Sequence, residues 1–120
     1  MKTNNVIQIK SYNFALRIIK LHKHLIMTHK KYDLSRQILR SGTSIGANVE
    51  EAIGGTTKKD FKHKLSISYR EARESHYWIR LLRDSDYISQ NVALSLLKDC
   101  DELLKIIGSI IKTTKENLRN

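Results

Sequence analysis

"RSGTSIGANVEEAIGG", Arg40 to Gly55, holds four glycines among small polar residues, and how it is read decides the fold. Such a run is either a loop that cradles a phosphate or a helix face kept smooth for packing. A phosphate loop follows a strand and carries Lys-Ser or Lys-Thr after its glycines. Neither that pair nor a Gly-x-Gly-x-x-Gly occurs here. Instead Gly42 and Gly46 lie one helical turn apart on the same face, with Ser41, Ser44 and Ala47 also small. The stretch therefore reads as part of a helix. Each glycine costs that helix roughly 1 kcal/mol of propensity, which close packing must more than offset.

Working outward, Asp33 is the expected N-cap of this helix and Ile53 its approximate end. Its apolar stripe is Leu34, Ile38, Gly42, Ile45, Val49 and Ala52, at helical spacing. Gly54 and Gly55 suit a C-terminus that needs left-handed backbone. Thr57, with Asp60 three residues on, resembles a capping box and opens a third helix that runs to about Arg83. That helix carries Phe61, Leu65, Ser68, Ala72, Ser75, Ile79 and Leu82 in one seam, small in the middle and large at the ends. It is the expected close-packing partner of Gly42 and Gly46.

The first helix is predicted from about Ser11 to His29, with Phe14, Ile18, Leu21 and Leu25 inward. The fourth is predicted from a Ser89 cap to about Glu116, with Ala93, Leu97, Cys100, Leu104, Ile107 and Ile111 in its seam. Four helices with short links predict an all-α, antiparallel up-down-up-down four-helix bundle, a single domain over 1–120. The complete absence of proline agrees with this. The single cysteine, Cys100, cannot form an internal disulfide and fits a buried structural thiol in a reducing compartment. No apolar run approaches membrane-spanning length, and the N-terminus lacks a signal-peptide core. A soluble cytoplasmic protein without membrane contact is expected.

The formal net charge is +10, unevenly spread. Residues 1–32 carry seven Lys or Arg and no acid, and residues 58–83 carry eight against three acids. Arg17, Lys20, Lys23, Lys30 and Lys31 form the cationic side of the first helix. Lys62, Arg70, Arg73 and Arg80 share a face of the third with Tyr77. Basic residues interleaved with an aromatic suit phosphate contact and base stacking. A merely solvated face, with Glu71 and Glu74 neutralising Arg70 and Arg73, is the plain alternative. A further face of the third helix holds Ile67, Glu71, Glu74, Trp78 and Leu81. It reads either as a core edge or as a subunit interface, since Trp is a frequent interface anchor.

The sequence carries little of the patterning that catalysis or metal binding needs. A di-iron bundle needs Glu-x-x-His pairs, and none occurs; Asp60-x-x-His63 is the nearest match. No nucleophile elbow accompanies the Ser, His and Asp residues. Neither an enzyme nor a metal or other cofactor is expected.

The segments LRSGTSIGANVEEA and KKDFKHKLSISYREARESHYWIRLL carry a resemblance. They are similar to the bacterial four-helix-bundle family named for reading frames in intervening sequences of 23S ribosomal RNA genes, also labelled S23 ribosomal protein. The similarity spans about Phe14 to Ile111. It implies a bundle assembled as a barrel-like homopentamer. A related branch is the accessory protein of diversity-generating retroelements, which implies a reverse transcriptase and its RNA or DNA as partners. The expectation is a non-catalytic oligomer with a basic surface that binds the RNA or DNA backbone, an accessory role to a nucleic-acid enzyme being one form of it. The alternative is a structural or protein-interaction scaffold without direct nucleic-acid contact.

Overall fold

The structure, a computed structural model, describes residues 2–30 and 32–119. These form α1 (Lys2–His29), α2 (Tyr32–Ile53), α3 (Lys58–Asp84) and α4 (Gln90–Arg119), with no strand among the described residues. The four helices make a bundle of 51 × 21 × 21 Å.

The helix starts follow local chemistry. Thr57 has extended backbone, and its hydroxyl accepts the Asp60 N–H at 3.0 Å. The Ser89 hydroxyl accepts the Val92 N–H at 3.1 Å. Both are the caps that the sequence pointed to. Asp33 is not a cap: it lies inside the first turn of α2, where a carboxylate still complements the helix dipole. α1 begins at Lys2 rather than near Ser11. Its buried seam continues backwards through Ser11 and Ile7, each about 1% exposed, and a small polar residue in that seam hides the apolar period.

The left-handed backbone expected at Gly54 or Gly55 is elsewhere. No described glycine has positive φ, whereas Lys30 (54°) and Asp86 (66°) do. At Asp86 the reason is a Schellman turn. Tyr87 N–H donates to the Leu82 carbonyl at 2.9 Å and Asp86 N–H to the Arg83 carbonyl at 3.1 Å, closing α3 with Asp86 in the left-handed position.

Consecutive helices run antiparallel. Gln8 bonds Glu50 while His22 Nδ1 donates to the Ser35 carbonyl at 3.2 Å, which fixes α1 against α2. Ser75 bonds Ser41 and Ser68 bonds the Ile45 carbonyl, which fixes α3 against α2. Cys100 donates to the Ala72 carbonyl at 3.2 Å and Gly108 faces the Tyr69 ring, which fixes α4 against α3. α1 meets α4 along much less of its length than these pairs, and the backbones of α1 and α3 lie across the bundle from one another. The thin α1–α4 seam is tied by Lys10 to Glu102 at 2.5 Å and by Arg17 to Asp99 at 2.6 Å.

Gly42 and Gly46 do lie buried at a helix crossing, but their partner is α1 and not α3. A Cβ on Gly42 would sit 2.7 Å from Ile18 Cγ1, and one on Gly46 would sit 3.4 Å from the Ser11 backbone. The small residues of α3 serve two other contacts, Ser68 and Ser75 against α2 and Ala72 against α4. Small residues thus thin the bundle on three seams. Phe14, Ile18, Leu25, Ile38, Ile45, Leu65, Ile79 and Ile107 fill the core between them. Among the described residues, every buried side-chain nitrogen and oxygen has a partner.

Candidate nucleic-acid interface

α1 presents Lys20 and Lys23 to solvent, and Lys30 is exposed just past its end; no described acid lies within pairing distance of them. Lys31 lies outside the described residues. Arg17 differs from these. Its guanidinium bonds Asp99 at 2.6 Å and the Ser95 hydroxyl at 3.0 Å, both on α4. The expectation that the first helix has no compensating acid therefore holds along the chain but fails in space, because α4 supplies Asp99 and Glu102 across the seam.

On α3 the intrahelical pairing of the plain alternative does not form. Glu71 and Glu74 do not neutralise Arg70 and Arg73. Arg40, from α2, takes both: one Nη bonds Glu71 at 2.9 Å and the other bonds Glu74. The hydrogen bond from Arg40, helped by the Trp78 indole N–H at 3.1 Å, holds the Glu74 carboxyl below the usual carboxylate range. Arg70 and Arg73 are left exposed, with no described acid in reach. Arg80 stacks 5.7 Å from the Tyr77 ring centre and feels the charge of Asp84. Lys62 is half-buried.

These cations do not make one patch. α1 and α3 are diagonal in the bundle, so the two sets occupy opposite corners of the chain.

The face of Ile67, Glu71, Glu74, Trp78 and Leu81 is half-buried throughout, and Trp78 packs on the core. Its two glutamates are engaged within the chain, by Arg40. A more exposed apolar stripe lies on α1: Ile9 at 61%, Tyr12 at 63%, Leu16 at 50% and Ile19 at 37%. Its 3-4-3 spacing places it on one face. The stronger buried seam of the same helix masks this stripe in the sequence.

A cleft of about 950 Å³ opens where α1 faces the α3–α4 link and the first turns of α4. Arg17, Lys20 and His24 line it from α1; Arg83, Asp86 and Tyr87 line it from the end of α3 and the link. Periodicity had pointed to none of the latter three, because the link becomes part of a concave surface only once the helices pack.

Cys100 is buried and its thiol is pushed up to about 12, first by burial and then by the neighbouring charges of Asp101 and Asp99. It stays a neutral thiol near pH 7. Among the described residues no group of three His, Cys, Asp or Glu is placed to hold a metal ion. Among the described residues no helix is long and apolar enough to cross a membrane.

Residues 3–109 match the family described as 23S rRNA-intervening sequence protein. The chain is also similar to a protein of unknown function from the S23 ribosomal protein family of Bacteroides thetaiotaomicron, whose crystal structure is solved. The two are 44% identical with a TM-score of 0.90, over 92% of this chain and 98% of that one. No curated protein matches the chain.

Proposed function

The chain belongs to the 23S rRNA-intervening sequence protein family, and on that premise we propose that it is a non-catalytic oligomer that binds the backbone of RNA or DNA. The observation that carries the reading is the set of exposed cations with no described acid beside them: Lys20, Lys23 and Lys30 at one corner, Arg70 and Arg73 at the other. A phosphate backbone binds such groups by displacing counterions, without base readout. Arg17 serves the α1–α4 seam first and phosphate second. A single chain offers two separated sites, and a ring would repeat each of them along one strand, raising avidity without new contacts. A homopentameric ring needs a heterologous contact between two different faces. The half-buried Ile67–Trp78–Leu81 face of one copy and the exposed Ile9–Leu16 stripe of the next supply the pair.

The exposed α1 stripe also favours a second reading, a scaffold that docks a protein such as a nucleic-acid enzyme and touches nucleic acid only through it. A titration separates the two. Structured RNA, single-stranded DNA and duplex DNA are bound at low and at physiological salt, using the wild type and the Lys20→Glu, Lys23→Glu pair. Direct backbone binding gives affinity that falls steeply with salt, and a slope smaller by about 1 for each phosphate-contacting lysine removed. Absence of binding at low salt, or equal binding by the folded variant, leaves the scaffold.

A further inference from the structure

We infer that the cleft between α1 and the α3–α4 link takes one unstacked nucleotide of a bound single strand, with its base on an apolar floor and its phosphate at a cationic rim. The inference rests on the nucleic-acid reading above and gives it a specific site.

The cleft, at about 950 Å³, lies within the roughly 300–1,000 Å³ of small-molecule sites. Its lining divides by chemistry. Leu21, Ile88 and Leu96 are at most 9% exposed and form the floor, with Val92 and the Tyr87 ring at the side. The ring of Tyr87 is set by an edge contact to His29, with centres 5.2 Å apart. Lys20, Arg17, Arg83 and His24 stand round the opening, against one carboxylate, Asp86.

No simpler ligand uses both halves. Inorganic phosphate would meet the cations and leave the floor wet. A purely apolar ligand would fill the floor and desolvate Lys20 without a counter-charge. A nucleotide joins a planar base, with apolar faces, to an anion in one molecule. Lys20 is the principal phosphate contact, since it has no described acid partner. Arg17 and Arg83 are engaged by Asp99 and Asp84 through some of their N–H groups, and each guanidinium keeps further donors. Asp86, fixed by its left-handed turn, offers an acceptor for a ribose hydroxyl or a base amine.

A duplex keeps its bases stacked and paired and cannot present one to the floor, whereas a single strand can. The cleft therefore converts a backbone binder into one that prefers single strands.

The test uses Val92→Trp. Val92 lies at the cleft and is 43% exposed, so a large side chain there fills the space with no change of charge. Leu94→Trp, at a 53% exposed position outside the lining, is the matched control. Binding of a single-stranded oligonucleotide and of a duplex is measured for both variants and the wild type. Amide spectra follow titration with adenosine 5′-monophosphate and, separately, inorganic phosphate. The expected result is a single-strand preference of about tenfold or more in the wild type and in Leu94→Trp. Val92→Trp loses that preference and keeps duplex binding. The mononucleotide shifts the amides of Tyr87, Ile88 and Val92, and inorganic phosphate does not. If wild-type single strands and duplex bind alike and Val92→Trp changes nothing, the cleft site is overturned and the backbone reading stands. If neither nucleic acid binds at low salt, both fall.

Discussion

The Cβ that Gly42 lacks would lie 2.7 Å from Cγ1 of Ile18, a side chain with no exposed surface in the middle of α1. Ile18 cannot retreat, because it is held on all sides by the core. Gly42→Ala therefore overpacks the α1–α2 crossing. The expected loss is about 1–2 kcal/mol in urea unfolding, overpacking outweighing the gain in helix propensity. At Gly46 the nearest atoms are at 3.4 Å, close to ordinary contact. Gly46→Ala should be near neutral, while Gly46→Leu should cost about 1–3 kcal/mol. Equal midpoints for Gly42→Ala and the wild type would show that the crossing is not tight.

Ser68 is fully buried and donates to the Ile45 carbonyl at 2.8 Å, across the α2–α3 seam. That carbonyl already accepts within its own helix, so losing the second donor leaves no orphan. Ser68→Ala should cost only about 0.5–1.5 kcal/mol. Ser68→Val adds volume to the same seam and should cost more. The order of the two midpoints checks the assignment, and a Val variant as stable as the Ala variant would contradict it.

The Arg40 hold on Glu74 has a pH signature. The Glu74 carboxyl is depressed below its ordinary value of 4.5, first by the Arg40 hydrogen bond. Its stabilisation is thus fully present above the ordinary value and is lost as pH falls through the depressed one. Both side chains keep at least a third of their surface exposed, so the effect is held below about 1 kcal/mol by solvent. Stability measured from pH 7 down to pH 3 should fall less in Glu74→Gln than in the wild type. Parallel curves would remove Glu74 from the acid response.

Cys100 reports the integrity of the α3–α4 seam. With its thiol raised to about 12 and its surface buried, it should not react with a disulfide reagent at pH 8 in the folded protein. Reaction should appear only in denaturant, following the unfolding transition. Rapid labelling of the native protein would show that the seam opens readily.

Assembly is checked by light scattering at micromolar concentration. A homo-oligomer, most simply the pentamer, is expected in moderate salt. Leu16→Glu should dissociate it, because position 16 is half-exposed on the α1 stripe and its substitution leaves the core intact. Trp78→Ala tests the facing surface and carries a folding cost as well, so its circular dichroism is compared first. A wild-type monomer would end the ring proposal.

The four helices were legible because each carries an apolar seam at helical period, and two of their starts because Thr57 and Ser89 carry capping side chains; the start of α1 was not, because Ser11 interrupts its seam. The partner of the glycines was not. Small residues at Gly42, Gly46, Ser68 and Ala72 state that helices come close without stating which ones, and only packing assigns α1 to the first pair. Charge was misread for the same reason. Arg17 has no acid near it in sequence, yet Asp99 reaches it from α4, and Arg40 draws Glu71 and Glu74 away from the arginines beside them. Ion pairs form between neighbours in space, which a linear charge map does not contain. The cleft was invisible because its rim joins residues from α1 with a link far along the chain.

The thin seam between α1 and α4 also sets an order of events. The Arg17 bonds across it join residues 78 and 82 positions apart, and Lys10 pairs with Glu102 from further still, whereas each of the other seams can be formed by a single helical hairpin. Contacts of such long sequence separation pay the largest loop-closure entropy and form late. A chain still emerging from synthesis can therefore zip α1, α2 and α3 together before its last helix exists. It would have most of its core and none of its cleft, so the cleft becomes available only when the whole chain has closed on itself.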